Sequence, residues 1–402
     1  MAKTLLLEAG IALTGIAIAG AIADRVGLSV IPAYILVGIL IGPNEPSSVG
    51  GVSLTLVENR EFIDVLAELG IVFLLFFLGL EFSISQLLSD RTRIVKAGTI
   101  DFLVNFGLGT ALGFAFGFSI VETLFVAGIV YISSSAVITK SLTENGWIAN
   151  PESGPILGTL VFEDVLIAVY LALLSAVVLG GGSVVEAMTS VGVALGFLGG
   201  LAVVAWYGAE TVERAFDVSS DELFLLRILG VTTLVAGAAL AIGLSEAVAA
   251  FFIGTAFSNT DHTDRIEDVV APTRDFFAAV FFFAIGLTTD VTVLDDVVLL
   301  LASAVVLTTV GKAASGTLSG RTYGLDARRS LRVGLGLVPR GEFSLVIAAL
   351  ASGAGTETLR SVIPAFAVGY VLIMSVLGTV LIQHADGINA MLISGPGGPP
   401  RE

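Results

Sequence analysis

The chain has no cysteine and only two histidines, which removes a disulfide framework and a thiolate metal site and leaves little for zinc chemistry. Charge is scarce as well. Asp, Glu, Lys and Arg make up 13% of the 402 residues against 55% hydrophobic residues, far from the usual globular balance. Basic residues are the scarcest, 19 against 35 acidic. No basic cluster interleaved with aromatics occurs outside short loops, which argues against nucleic-acid binding. The net charge of -16 sits almost wholly in loops, and its basic part is mostly Arg, a hydrated acidic surface of the kind a high-salt prokaryotic cytoplasm favours.

What the chain has in abundance is apolar sequence. Runs of about 20 residues, enough to cross a ~30 Å hydrocarbon core, recur from end to end, and no soluble fold could bury them all. The first, Leu5 to Ala23, ends like a secretory signal at Ala21-Ile22-Ala23. Glu8 interrupts it, however, and a second run follows within a few residues, so a retained helix is expected. Hydropathy predicts thirteen spans over 4–23, 28–43, 63–81, 96–118, 121–142, 154–179, 184–207, 222–241, 244–258, 273–288, 297–318, 330–352 and 358–383. With the N-terminus outside, 14 of the 19 basic residues fall on the cytoplasmic side, only Lys3, Arg60 and Arg360 fall outside, and Lys312 and Arg340 lie within the membrane. The positive-inside rule therefore predicts a multi-pass cell-membrane protein, N-terminus out and C-terminus in. Residues 1–390 read as one transmembrane domain. The Gly/Pro-rich residues 391–402 read as a disordered cytosolic tail with no regulatory domain attached.

Thirteen spans divide as six, a linker and six, the pattern of two inverted repeats. In each half the fifth helix carries a break signal: Ser133-Ser134-Ser135 in one, Val338-Pro339-Arg340-Gly341-Glu342 in the other. Broken helices at matching places point to a midplane site, because unwound backbone is tolerated only where protein or a cavity surrounds it. The fold class expected is thus an all-α membrane protein of about thirteen helices, two inverted six-helix repeats with broken helices.

Glu163 and Asp164 lie about ten residues into the sixth span, roughly 15 Å deep at 1.5 Å per residue. An ionised side chain there costs on the order of 3 kcal/mol, so the pair needs compensation and marks a functional site. Adjacent helix positions diverge by about 100°, so one carboxylate can face a basic partner, with Lys312 the obvious one, while the other faces a water-filled cavity and holds a proton or a desolvated cation. Ser133, Ser134, Ser135 and Thr139 read either as small packing residues or as hard oxygen ligands for a small cation, with the second favoured. Arg340 and Glu342 either neutralise one another across the break or contact the ligand; alternatively Arg340 balances exposed helix-end carbonyls. Asp101, Glu68 and Glu81 read as packing or interfacial groups, and Glu246 as a charge near a helix N-terminus.

These residues occur in an order that resembles the monovalent cation:proton antiporter superfamily, and within it the Kef-like sodium/hydrogen exchanger membrane domain. The stations are Leu36 to Pro43, Leu66 to Gly70 running to Gly79-Leu80-Glu81, Ser133 to Lys140, Glu163-Asp164, Gly254 within Ala249 to Ser258, Gly286 within Phe281 to Asp290, Gly311-Lys312, and Pro339 to Phe343. The resemblance implies a homodimer with a mobile core in which two broken helices cross. It also implies that Asp164 binds cation or proton alternately and that Lys312 partners the carboxylate pair. Glu163 departs from the Asp, Gln or Asn that such proteins carry there. Kef-like proteins usually bear a cytosolic nucleotide-binding domain, so any such regulator is expected here as a separate subunit. The expected function is secondary antiport of Na+ or K+ against H+ by competition at Asp164, with Asp164 the metal ligand, no catalytic residue and no cofactor. Channel-like K+ efflux on the same fold is the alternative. An intramembrane protease would take its carboxylates from two facing elements rather than from consecutive positions, and a sensor would need an output domain.

Overall fold

The structure, a computed structural model, describes residues 2–27, 29–44, 48–49, 52–53, 55–57, 61–81, 91–147, 149–179, 216–241, 246–258 and 260–393, with 196 and 214 singly. Its helices are α1 (Ala2–Arg25), α2 (Val30–Ile41), α3 (Glu61–Glu81), α4 (Arg91–Ala115), α5 (Ile120–Tyr131), α6 (Ser135–Glu144), α7 (Ser153–Leu179), α8 (Asp221–Ala241), α9 (Glu246–Phe257), α10 (Thr263–Thr288), α11 (Leu294–Thr322), α12 (Ala327–Gly336), α13 (Glu342–Ser352), α14 (Ile363–Gln383) and α15 (Ala385–Ile393). One short ladder, Ser48–Val49 with Val52–Ser53, is the only sheet among the described residues. Eight helical segments there are long and apolar enough to cross a bilayer.

Helices occupy twelve of the thirteen expected spans; the seventh, 184–207, lies outside the described residues except for residue 196. The fifth span is α5 and α6 separated at Ile132 to Ser134, and the twelfth is α12 and α13 separated at Leu337 to Gly341. One boundary differs from expectation. Helix α15 runs through Ile393, so residues 391–393 of the expected tail are helical, and 394–402 lie outside the described residues. Arg328 and Arg332 on α12 both bond the carboxylate of Asp386 in the first turn of α15, holding it against the rest of the chain despite its glycine and polar residues.

The helices form two groups. In one, α3 packs against α9 and α10, α2 packs against α1 and α10, and α8 packs against α9; in the other, α4 to α7 and α11 to α14 pack chiefly on each other. Glycine sets the closest crossings of the first group. A Cβ at Gly79 of α3 would sit 1.9 Å from Phe251 O of α9, and one at Gly254 of α9 would sit 1.8 Å from Phe76 O of α3. The Gly38–Gly286 crossing of α2 and α10 is as tight, with carbonyls 2.2 and 2.1 Å from the missing Cβ positions. Such small-residue contacts let membrane helices associate by van der Waals packing where no hydrophobic driving force separates them from lipid.

Two cavities open between the groups. The first, of about 590 Å³, is lined by the start of α2, the end of α3, the middle of α10, Ser135, Thr139, Lys140 and Glu342. The second, of about 470 Å³, is lined by the first half of α3, the end of α10, α7, α13 and the start of α14. They therefore approach from opposite ends of α3 and α10. Phe282 lines the first and its neighbour Phe281 the second, so consecutive residues of α10 face different cavities.

Candidate functional site

The two chain breaks touch. Ser134 N donates to Pro339 O at 3.0 Å, and Ser133 Oγ lies 3.2 Å from Leu337 O. Gly341 permits this approach, since a Cβ there would stand 2.4 Å from Ser134 Oγ. Four half-helices thus meet at one point, two offering carbonyl ends and two offering N–H ends. Each kind of end carries about half an elementary charge.

The charged residues of the second break sort onto these poles. The Arg340 guanidinium is fully buried and bonds only carbonyls: Val130 at the end of α5, and Leu337, Val338 and Pro339 after α12. Glu342 begins α13 and accepts from Ser134 Oγ at 2.7 Å and Ser135 Oγ at 3.1 Å, at the start of α6. The cation neutralises two C-terminal ends and the anion faces two N-terminal ends. Mutual neutralisation of Arg340 and Glu342, one of the sequence expectations, is therefore replaced by the helix-end reading. The physical reason is that the unwound turn separates the two side chains onto opposite dipole poles.

Below the crossing lies a buried cluster around Lys312. Its ammonium donates to Glu163 Oε1 and to Asp101 Oδ2, both at 2.6 Å, and all three side chains are excluded from solvent. Glu163 also accepts from Ser133 N at 2.6 Å and Ser133 Oγ at 3.0 Å. Asp101 also accepts from Asn105 Nδ2 at 2.9 Å and Ser315 Oγ at 2.8 Å. Each carboxylate thus has three donors, which is what a buried anion needs. Helix geometry supplies the arrangement. Asp101 and Asn105 are one turn apart on α4, and Thr308, Lys312, Ser315 and Ser319 form a buried stripe on α11 that faces them.

The assignment of Asp101 to packing or interface is corrected here: it is a full partner of Lys312. A signal existed, because Asp101 lies as deep in α4 as Glu163 lies in α7 and has Asn105 one turn on. Tyr131 was likewise missed. Its ring lies 5.2 Å under the Lys312 Nζ, a cation–π distance, and its buried hydroxyl has no hydrogen-bond partner among the described residues. As the last residue of α5 it carries no charge or break signal that would single it out.

Asp164, one position beyond Glu163, is half-buried, as is Ser135, and Thr139 is exposed in the first cavity. The serine hydroxyls go to other carboxylates than expected, Ser133 to Glu163 and Ser134 and Ser135 to Glu342. The break therefore brings Ser133, Glu163 and Lys312 into one cluster, and Ser134, Ser135 and Glu342 into another. Asp164 sits on a third face.

Residues 11–385 match the transmembrane sodium/hydrogen exchanger family. The chain is 40% identical over 389 residues to the K(+)/H(+) antiporter subunit KhtU of Bacillus subtilis, covering 96% of this chain and 95% of that protein. It is 32% identical over 388 residues to the ammonium/H(+) antiporter subunit AmhT of Alkalihalophilus pseudofirmus, covering 95% and 94%. Among solved structures, the sodium proton antiporter MjNhaP1 of Methanocaldococcus jannaschii superposes with a TM-score of 0.70 at 16% identity, over 98% of this chain and 100% of that one, a likeness of fold.

Proposed function

The chain belongs to the sodium/hydrogen exchanger family, a family of multi-pass membrane transporters rather than catalytic enzymes, and from that membership we propose that it exchanges a monovalent cation for a proton at Asp164. The observation that carries the site assignment is the contrast along one helix turn. Glu163 is fully buried and clamped by Lys312 and Ser133, whereas Asp164 on the adjacent face of the same helix is half-buried. Ionised Asp164 takes the cation from one side, the second helix group shifts against the first, and a proton displaces the cation at the other side. Competition for one carboxylate couples the fluxes.

K+ or Na+ is the transported cation, with K+ favoured by the 40% identity to a K(+)/H(+) antiporter subunit. One proton moves per cation. The support is geometric: Lys312 Nζ already donates to both Glu163 and Asp101 in one buried cluster, so the exchange of cation for proton is assigned to the single carboxylate of Asp164. Thirteen helices in two inverted repeats, an external N-terminus and a homodimer complete the reading. A separate cytosolic nucleotide-binding subunit is its regulator, in keeping with two relatives named as subunits.

The test is exchange by reconstituted protein, read as cation-induced collapse of an imposed pH gradient with Na+, K+ and NH4+ across pH. Cation-dependent proton flux that an imposed membrane potential neither speeds nor slows is expected. Proton flux driven by potential would overturn the one-to-one stoichiometry, and cation flux without proton flux would favour the channel-like alternative.

A further inference from the structure

The Lys312 ammonium has three N–H bonds to place. Two reach Glu163 Oε1 and Asp101 Oδ2, and no third atom accepts from it among the described residues. What the ammonium meets instead is the ring of Tyr131, whose centroid lies 5.2 Å from Nζ. An aromatic face is electron-rich and attracts a cation, most strongly where water is excluded. Water is excluded here, since Lys312 is fully buried and Tyr131 is 3% exposed. The other elements packed around Lys312 have their charged and titratable groups engaged elsewhere. Arg340 is spent on carbonyls, Tyr370 of α14 bonds Thr308 one turn earlier on α11, and α12 meets α11 through Gly334 and Ser330.

The ring is held in place by elements that also build the cluster. Phe102 and Phe106, one turn apart on α4, stack with centroids 4.8 Å apart, and the Tyr131 ring stands nearly perpendicular to both, at 5.3 and 6.3 Å. Helix α4 therefore contributes both the second carboxylate of the cluster, Asp101, and the packing that orients the ring. The Tyr131 hydroxyl makes no hydrogen bond among the described residues, so the part of this side chain that the site uses is its face. Its backbone belongs to the first break. Tyr131 ends α5, the carbonyl of Val130 before it accepts from Arg340 Nε at 3.1 Å, and two residues on Ser133 N donates to Glu163. Residues 130–133 thus address Arg340, Lys312 and Glu163 from one short stretch of unwinding chain.

We infer that Tyr131 is a positioning residue for the exchange reaction: its ring face holds the Lys312 ammonium where it reaches Glu163 and Asp101 together. A lysine chain has four rotatable carbons between backbone and charge, and two carboxylates on different helices leave its third side open. The ring closes that side. By seating Lys312 it keeps Glu163 in its bond to the ammonium, and Glu163 in turn fixes the turn of α7 on which Asp164 is the next residue. The role in exchange rests on the reading of Asp164 as the exchanging carboxylate; the hold on Lys312 rests on the geometry of the cluster.

Exchange by the full chain in proteoliposomes tests it, with the ring removed in one variant and altered only electronically in others. Tyr131→Leu should slow K+-dependent proton exchange by about tenfold or more, whereas Tyr131→Phe, which deletes only the unpartnered hydroxyl, should exchange as the wild type does. Phenylalanine carrying one, two and then three ring fluorines at position 131 nearly keeps the ring's shape while drawing charge from its face, so the rate should fall stepwise along the series. A side chain that merely fills space would give a flat series. Wild-type exchange by Tyr131→Leu, a loss in Tyr131→Phe equal to that in Tyr131→Leu, or a flat fluorine series would each overturn the assignment. Should Tyr131→Leu fail to fold, the fluorinated series carries the test alone. If the wild type exchanges no cation for protons, the proposed function fails, and the ring's hold on Lys312 is read from melting temperatures along the same series: a stepwise fall upholds it and a flat one overturns it.

Discussion

Inside the group of α4 to α7 and α11 to α14, buried charges are held by named partners: Lys312 bonds Asp101 and Glu163, Arg340 bonds four carbonyls, and Glu342 faces two helix N-termini. Between that group and the other, the second cavity is lined by four acids and one base, and Asp164 on α7 is half-buried. Compensation is obligatory where water cannot enter, because an unpaired ion in hydrocarbon costs several kcal/mol. Where two surfaces part and rejoin, a carboxylate can be met by a travelling ion instead. Residues locked into the fully buried clusters should therefore govern folding, and half-buried Asp164 transport.

The largest effect expected is from Lys312→Met, which strands two buried carboxylates and should lower stability by about 3–5 kcal/mol, measured by thermal unfolding in detergent. Adding Asp101→Asn should recover part of that loss; a double variant as unstable as the sum of the singles would break the claim that Asp101 and Lys312 form one matched set. Asp164→Asn sharpens the other side. It should reduce exchange in proteoliposomes at least about a hundredfold, ~2.7 kcal/mol in rate terms, with little change in melting temperature. Retained exchange would remove Asp164 from the site, and a large drop in melting temperature would place it with the residues that govern folding.

Gly341→Ala forces a Cβ against Ser134 Oγ at the contact of the two breaks, and should cost about 1–3 kcal/mol. Ser134→Gly in the same chain should relieve it. Glu342→Gln removes the anion between two helix N-termini and should cost about 1 kcal/mol, visible as a modest fall in melting temperature. The smallest effect lies outside the membrane. Hydrogen bonds from Arg332, with a further one from Arg328, hold the Asp386 carboxyl below the usual carboxylate range. A depressed value makes its contribution complete above the ordinary carboxylate pKa and lost as pH falls through the lowered one. Arg332→Ala should weaken that acid-side slope in stability, with Arg328 retaining part of it, while leaving exchange at neutral pH unchanged.

Much of the fold could be read from residue order. The apolar runs locate the described helices because backbone in hydrocarbon must satisfy its own hydrogen bonds, and Ser133 to Ser135 and Pro339 to Gly341 mark the breaks because neither stretch continues a helix cheaply. Helix α15 was not legible, since what holds it is a pair of arginines more than fifty residues away. At the site, the pairing of Glu163 with Lys312 was legible as the balancing of two midmembrane charges. The role of Asp101 was not, because α4 offers one acid that is equally compatible with an interface until α11 is laid beside it.

By itself, then, the sequence determined that the chain lives in a membrane, where its helices begin and break, and that charge at mid-depth requires a partner. These follow from local rules of hydropathy, periodicity and desolvation. Only the tertiary structure decided which charge meets which: that Arg340 and Glu342 part to opposite helix ends, that Lys312 is shared by two carboxylates, and that two unequal cavities flank the crossing. Partner choice depends on distances between helices far apart in the chain, and at intramembrane dielectric a few ångströms separate a matched ion from an unmatched one.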